Sequence, residues 1–485
     1  MIKIHRWMLI IVAAVLMLMC SVHAQPEASL QNVSANEIVS EITSGEPVDY
    51  ENVSIQGDLD LSNLKEPVSQ EVRISNCQLD RVNFGSVTLE QPVDMRGTVF
   101  QESTNFAKAK FLSDTSFSGA RFLGATDFRD TDFGESTSFI SAQFLNDTSF
   151  TNAQFNGDTS FLNSSFIGDV DFDYAQFSRT ASFWSAAFRN VSFAETNFEA
   201  QTTFGYAQFN GSTLFAGTIF GNDAIFRSSA INGNSTFGLA RFDGLCDFSN
   251  VGFKGMAIFL GTQFTGNVYF TGSRFNKDLI LEGARIYSIK LDNVTFGEGS
   301  KISLNDADVS KFIVRWNTIK DRMIFDGAAY QSLVRNYKDL GWFDDADNCY
   351  YQYRSISQAQ EPWSWAKLED IIAWLSCGYG VRVSYILFWC IFTILSFGII
   401  FWAGNGARRF KYVGRGGVGN ADDIQDTGVS LIDAMYFSVA NFATAQAPVN
   451  YTPVGIYKQL AVIEIALGFF FSMLFVVVLV SILIR

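Results

Sequence analysis

Between Phe100 and Phe275 a large apolar residue returns every five or six positions, at 100, 106, 111, 117, 122, 128, 133, 139, 144, 150 and onward. The intervals alternate six and five. They slip once, where Phe183, Phe188, Phe193 and Phe198 are all five apart, and the ring is replaced once, by Ile231. Two residues before each lattice position stands a small side chain, from Ala109, Thr115 and Ala120 through to Thr262, Val268 and Ser273. Neither a helix of 3.6 residues per turn nor a long strand of period two gives this 11-residue repeat, whereas a coil that turns a corner every five or six residues does. Each side then sends one Phe and one small residue inward and leaves Gly, Asn, Asp and Ser for the corners, as in the runs ending at Phe122, Phe150 and Phe155. The aromatic ladder reads as a structural core, and Cys246, at a small-residue position, reads the same way.

In these residues the chain resembles the pentapeptide-repeat family, over roughly residues 50 to 310. The resemblance implies a right-handed quadrilateral β-helix, with Ala, Thr or Ser at the small inward position and Phe at the large one. The alternation of six and five implies about 22 residues per coil. Phe100 to Phe275 then makes about eight coils, a rod of roughly 40 Å at ~4.8 Å per strand. Weaker versions of the lattice continue outward through Ile55, Leu59, Ile74 and Leu79 on one side and Leu281, Ile286 and Leu291 on the other, as capping coils do. The family can mimic duplex DNA, but residues 100 to 280 carry 17 Asp+Glu against 11 Lys+Arg, a net of only −6. No nucleic-acid partner is expected.

Lys3 and Arg6 precede an apolar run from Met8 to Cys20, and Val22 and Ala24 supply small residues ahead of Gln25, the three-part form of a secretory signal over 1–24. Both histidines, His5 and His23, fall inside it. A mature chain without His lacks Ser-His-Asp and Cys-His catalysis and histidine metal sites. The six cysteines are scattered, with no metal-binding or disulfide spacing. No cofactor, metal or enzymatic activity is implied. Eight Asn-x-Ser/Thr sequons precede residue 300; they suit an exported domain, and a chain rich in Asn, Ser and Thr also makes them by chance.

Residues 25–49 read as a cap segment and 50–315 as the β-helix. Residues 316–382 read as a linker of two or three helices that ends with Trp363, Trp365 and Trp374 near the membrane interface. Asp344, Asp345 and Asp347 read as acids at a helix start, not as a calcium loop. Val383 to Gly404 carries no charge and Gln459 to Ile484 carries Glu464 alone. Both are long enough to span ~30 Å of hydrocarbon. Between them Ser430 to Thr444 is apolar but too short to cross, and Ser430 with Asp433 resembles a capping box.

A span, a half helix, a loop and a second span make a pore-domain layout. The run Ala434 to Thr444, through Tyr436, Phe437, Ser438 and Phe442, resembles the pore helix of two-helix potassium channels, over roughly residues 383–485. The resemblance implies an all-α membrane domain with a re-entrant segment at 430–450, a homotetramer in a lipid membrane, and a pore lined by Thr444, Ala445, Gln446, Ala447, Pro448, Val449 and Asn450. Gln446 and Pro448 occupy the two places where the family filter has glycine. Proline fixes φ near −65°, so potassium selectivity by carbonyl coordination is not expected. Gly378-Tyr379-Gly380 precedes the first span and cannot line the pore.

The secretory signal puts the β-helix outside the cytoplasm, and Arg408, Arg409, Lys411 and Arg415 after the first span agree with a cytoplasmic loop. The reading is a multi-pass cell-membrane protein. Glu464 and Gly468 are candidates for gating, set against snorkelling and close packing respectively. The glycine-rich Gly414 to Asn420 reads as a connector. The function expected is passage of a cation of unknown identity; the alternative is a non-conducting surface scaffold that keeps a degenerate pore domain as an oligomeric anchor.

Overall fold

The computed structural model describes residues 30–412 and 424–483. The expected signal segment, Arg415 and the Gly414 to Asn420 connector lie outside the described residues. The chain forms two compact units, the first ending at Ile324 and the second beginning at Phe325.

The first unit is a parallel β-solenoid with four strand ladders per coil. One face is a 13-stranded sheet, the next a 12-stranded sheet, and the remaining two faces merge into a single 21-stranded sheet. Phe100 pairs with Phe122 and Phe122 with Phe144, so one coil takes 22 residues. The two step lengths have separate causes. The five-residue steps turn tightly: Ala109 N donates to Phe106 O at 3.0 Å across Lys108, whose φ is +61°, the positive φ that a type II turn requires. Gly, Asn and Ser fill many of these corners, yet Tyr174, Tyr206 and Leu239 occupy three of them with φ of 58° to 59°. The six-residue steps use an open corner of three residues, such as 145–147. The slip in the lattice shortens one such corner to Arg189 and Asn190, and pairing absorbs it with one 21-residue coil, Phe188 opposite Phe209.

The core follows from the repeat. Phe100 stacks on Phe122 with centroids 4.5 Å apart and planes within 1°, and Phe128 stacks on Phe150 at 4.8 Å. Those spacings match the separation between neighbouring strands. Within the core the ladders meet edge to face, as Phe139 meets Phe150 at 5.5 Å and 81°, the geometry that the ring quadrupole favours. The small inward residues are buried beside them. Several of the inward hydroxyls bond the preceding coil: Thr131 Oγ1 donates to Phe106 O at 2.8 Å and Thr218 Oγ1 to Phe193 O at 2.7 Å, whereas those of Thr104, Ser164 and Ser229 are buried without a hydrogen-bond partner. Cys246 is fully buried, and that burial pushes its thiol pKa well up. All the described cysteines are free.

Pairing runs past the expected 50–315 at both ends. Gln31–Ser34 pairs with Val53–Gln56, helix α1 (Ala35–Ser44) follows, and Gly45 at φ +79° closes it. At the other end Ile302 bridges Met323.

The second unit is helical. Helix α2 (Gly327–Asp339) starts at Asp326, whose side chain accepts from Ala329 N at 2.7 Å. Helix α3 (Phe343–Gln360) has Asp344 and Asp345 in its first turn, where the helix dipole favours acids. Helix α4 (Trp365–Cys377) is capped by Ser364 and ended by Gly378 at φ +54°. Then come α5 (Val383–Ala403), α6 (Leu431–Thr444) and α7 (Tyr457–Leu483). One element was not expected: Ala407–Tyr412, Ile424–Gly428 and Tyr451–Pro453 form a three-stranded antiparallel sheet.

Candidate functional site

Helices α5 and α7 are long and apolar enough to cross a membrane. Most of their surface is uncovered in the single chain, including Phe388, Ile391 and Phe392 on α5 and Phe469, Met473 and Val477 on α7. A soluble core helix would bury such a surface.

Helix α6 lies against both. Its start is the full capping box: the Ser430 hydroxyl accepts from Asp433 N at 3.2 Å, and the Asp433 carboxylate accepts from Ser430 N at 3.2 Å. The same carboxylate accepts from Tyr451 Oη at 2.7 Å and Arg409 Nη1 at 3.1 Å, which ties the helix start to the antiparallel sheet. Further along, Ser438 Oγ contacts Ile394 O of α5 at 2.8 Å and Glu464 Oε1 of α7. Asn441 Nδ2 donates to Glu464 Oε2 at 3.2 Å. Glu464 is completely buried, with its carboxylate turned to α6. Gly468, one turn on, leaves room for α6: a Cβ there would stand 2.2 Å from Phe442 O. Gly398 of α5 does the same for Met435.

After Thr444 the chain reverses. Ala445 takes φ +55° and Tyr451 N donates to Pro448 O at 2.9 Å. Thr444 Oγ1 turns back to Ala440 O at 2.6 Å. The expected pore-lining residues therefore stand together in one reversing segment. Thr444, Ala445, Gln446, Ala447, Val449 and Asn450 are exposed and Pro448 is half-buried. Glu464 and Gly468 are not in that segment; they hold α6 from behind.

The solenoid carries a groove of its own, about 970 Å³, along the 12-stranded face. Its floor is the outward residue of successive coils, Asn105, Asp127, Ser149, Asp171 and Ser192. Burial raises the Asp173 carboxyl beside it above the usual range, against hydrogen bonds from Ser192 Oγ and Ala194 N. No cluster of three metal-ligating side chains occurs among the described residues.

A family model described as Pentapeptide repeats matches the chain in nine copies, over residues that include 74–121, 84–132, 117–165 and 237–285. The solenoid is built of pentapeptide repeats. All of those matched stretches lie within it. No curated protein and no solved structure matches the chain.

The pentapeptide repeat also accounts for several sequons. In Asn146-Asp-Thr148 and Asn234-Ser-Thr236 the Asn stands at an open corner, two positions before a ladder strand in the first and one before in the second, and Asn234 Oδ1 accepts from Met256 N of the next coil at 3.0 Å. Corner chemistry produces the motif there without reference to glycosylation. Sequence reasoning missed the partners of Glu464. The available signal was Ser438 and Asn441, polar residues one turn apart on an otherwise apolar short helix, which a lone carboxylate in a span requires.

Proposed function

We propose that this protein is a membrane-anchored, ion-channel-like protein: a cation pore without potassium-type selectivity, assembled as a homotetramer, with an exported right-handed pentapeptide-repeat β-helix as stalk or sensor. The observation that carries the reading is the depth of α6. Ile394 lies nine residues before the end of α5 and Gly468 eleven after the start of α7, ~14 and ~17 Å along helices rising 1.5 Å per residue. Contacts at Ile394 and Gly468 support a helix that enters about halfway through a ~30 Å layer and returns through 445–450. The uncovered apolar faces of α5 and α7 suit lipid and neighbouring copies. The proposal assigns no catalytic step to the chain.

Ion flux through liposomes holding the full chain tests this. Flux above empty liposomes that Gln446→Trp abolishes supports the pore; none from a folded, inserted oligomer refutes it. The rival, a non-conducting surface scaffold, is favoured by one observation: Gln446 and Pro448 occupy the glycine places of the resembled filter. Orientation is part of the proposal. Protease added to intact cells should digest the region 25–380, and full protection there would reverse the assignment.

A further inference from the structure

We propose that the cleft between α2 and α3 binds a phosphate-bearing anion. The cleft has a volume of about 670 Å³ and is lined by Arg335, Lys338, Tyr350, Tyr353 and Arg354, with Glu361 the only carboxylate among its lining residues. Arg335 and Lys338 stand one turn apart on α2, both exposed, and among the described residues neither forms an ion pair with a carboxylate. Arg354 on α3 is already paired with Asp370 of α4.

Tyr353 Oη accepts from Gln331 Nε2 at 2.8 Å, and Tyr350 Oη accepts from Arg354 Nη1 at 3.2 Å. A phenol has one proton, and in both tyrosines the contact shown uses the oxygen as acceptor, which leaves the O–H to donate. Two phenol donors, a guanidinium and an ammonium converge from two helices. A carboxylate ligand has two oxygens for them, whereas a phosphate has three or four and takes charge-assisted bonds from Arg and Lys alike.

Two sources share this chemistry, a phospholipid headgroup and a free phosphorylated solute. The Arg354–Asp370 pair joins the cleft to α4, where Trp365, Leu368, Ile372 and Leu375 form an exposed apolar stripe. A helix of that kind suits a membrane surface, and basic cleft residues near it suit anionic lipid.

The test uses the full chain in detergent and two probes, with Arg335→Gln/Lys338→Gln, a surface pair whose change leaves the helix packing alone. Native mass spectrometry counts phosphatidylglycerol retained over phosphatidylcholine, and calorimetry measures glycerol 3-phosphate. Losing charged hydrogen bonds should weaken the bound probe at least tenfold. Preferential phosphatidylglycerol retention that the double variant loses assigns a lipid headgroup; glycerol 3-phosphate binding that it loses assigns a solute. Tyr353→Phe should give a smaller loss in whichever arm responds. Binding of both probes unchanged in the double variant, or binding of neither by the unaltered protein, overturns the proposal.

Discussion

Replacing Gly468 by Ala sets two effects against each other. Alanine is the better helix former by about 1 kcal/mol, so propensity alone predicts a stabler α7. The added Cβ, however, stands 2.2 Å from Phe442 O and 2.9 Å from its Cα. Restoring ordinary contact needs α6 to retreat by about 1 Å, since overpacked backbone cannot rotate away as a side chain can. That retreat would stretch Asn441 to Glu464 from 3.2 Å, beyond hydrogen-bonding range. Overpacking typically costs about 1–3 kcal/mol, so sterics win by up to about 2 kcal/mol. At about 2–4 °C per kcal/mol for a unit of this size, thermal unfolding in detergent, followed by tryptophan fluorescence, should fall by up to about 8 °C. Gly428→Ala, with open space around its Cβ position, should show no such loss. A Gly468→Ala protein as stable as the original, or stabler, would refute the packing of α6 against α7 described here.

The Glu464–Asn441 contact, the Phe ladder and the Asp94–Arg96 pair give three further expected outcomes. Glu464→Leu and Asn441→Leu should each destabilise, and together by less than their sum, with a coupling of about 0.6–1.7 kcal/mol; strict additivity in the same unfolding assay would mean the two side chains do not interact. Phe150→Ala removes a fully buried ring stacked on Phe128 and Phe172 and should cost about 3–5 kcal/mol, read as an earlier loss of the β signal in circular dichroism. The Asp94 carboxyl is held below its ordinary range, first by the hydrogen bond from the Arg96 side chain and then by the neighbouring charges of Arg96 and Arg73. Because the folded value is depressed, its contribution is present above the unfolded pKa near 4 and is lost as the pH falls below it. Asp94→Asn should therefore flatten the acid arm of the solenoid's stability profile, and an unchanged arm would contradict that pairing.

The solenoid was legible because its constraint is geometric. A Phe and a small residue at a fixed spacing fit one kind of coil, and the five- and six-residue steps turned out to be two kinds of corner. The ends were harder to read. At Gln31–Ser34 the lattice carries Val33 in place of Phe, and at Met323 pairing is reduced to a single bridge. In the second unit, the two long apolar helices and the cap of α6 were legible from apolar length and from Ser430 with Asp433. The antiparallel sheet was not, because Tyr451–Pro453 is three residues long and contains a proline. Glu464 stood out as a charge in an apolar run, but whether it faces inward depends on α6, which only tertiary packing positions.

In the proposed pore, residues 444–450 line a water-filled path. Val449 is fully exposed in the single chain and gives the most direct test. Val449→Cys should conduct in liposomes, and a membrane-impermeant cationic thiol reagent should label Cys at that position and stop the flux. Complete labelling that leaves flux unchanged, or the absence of flux before labelling, would contradict the account.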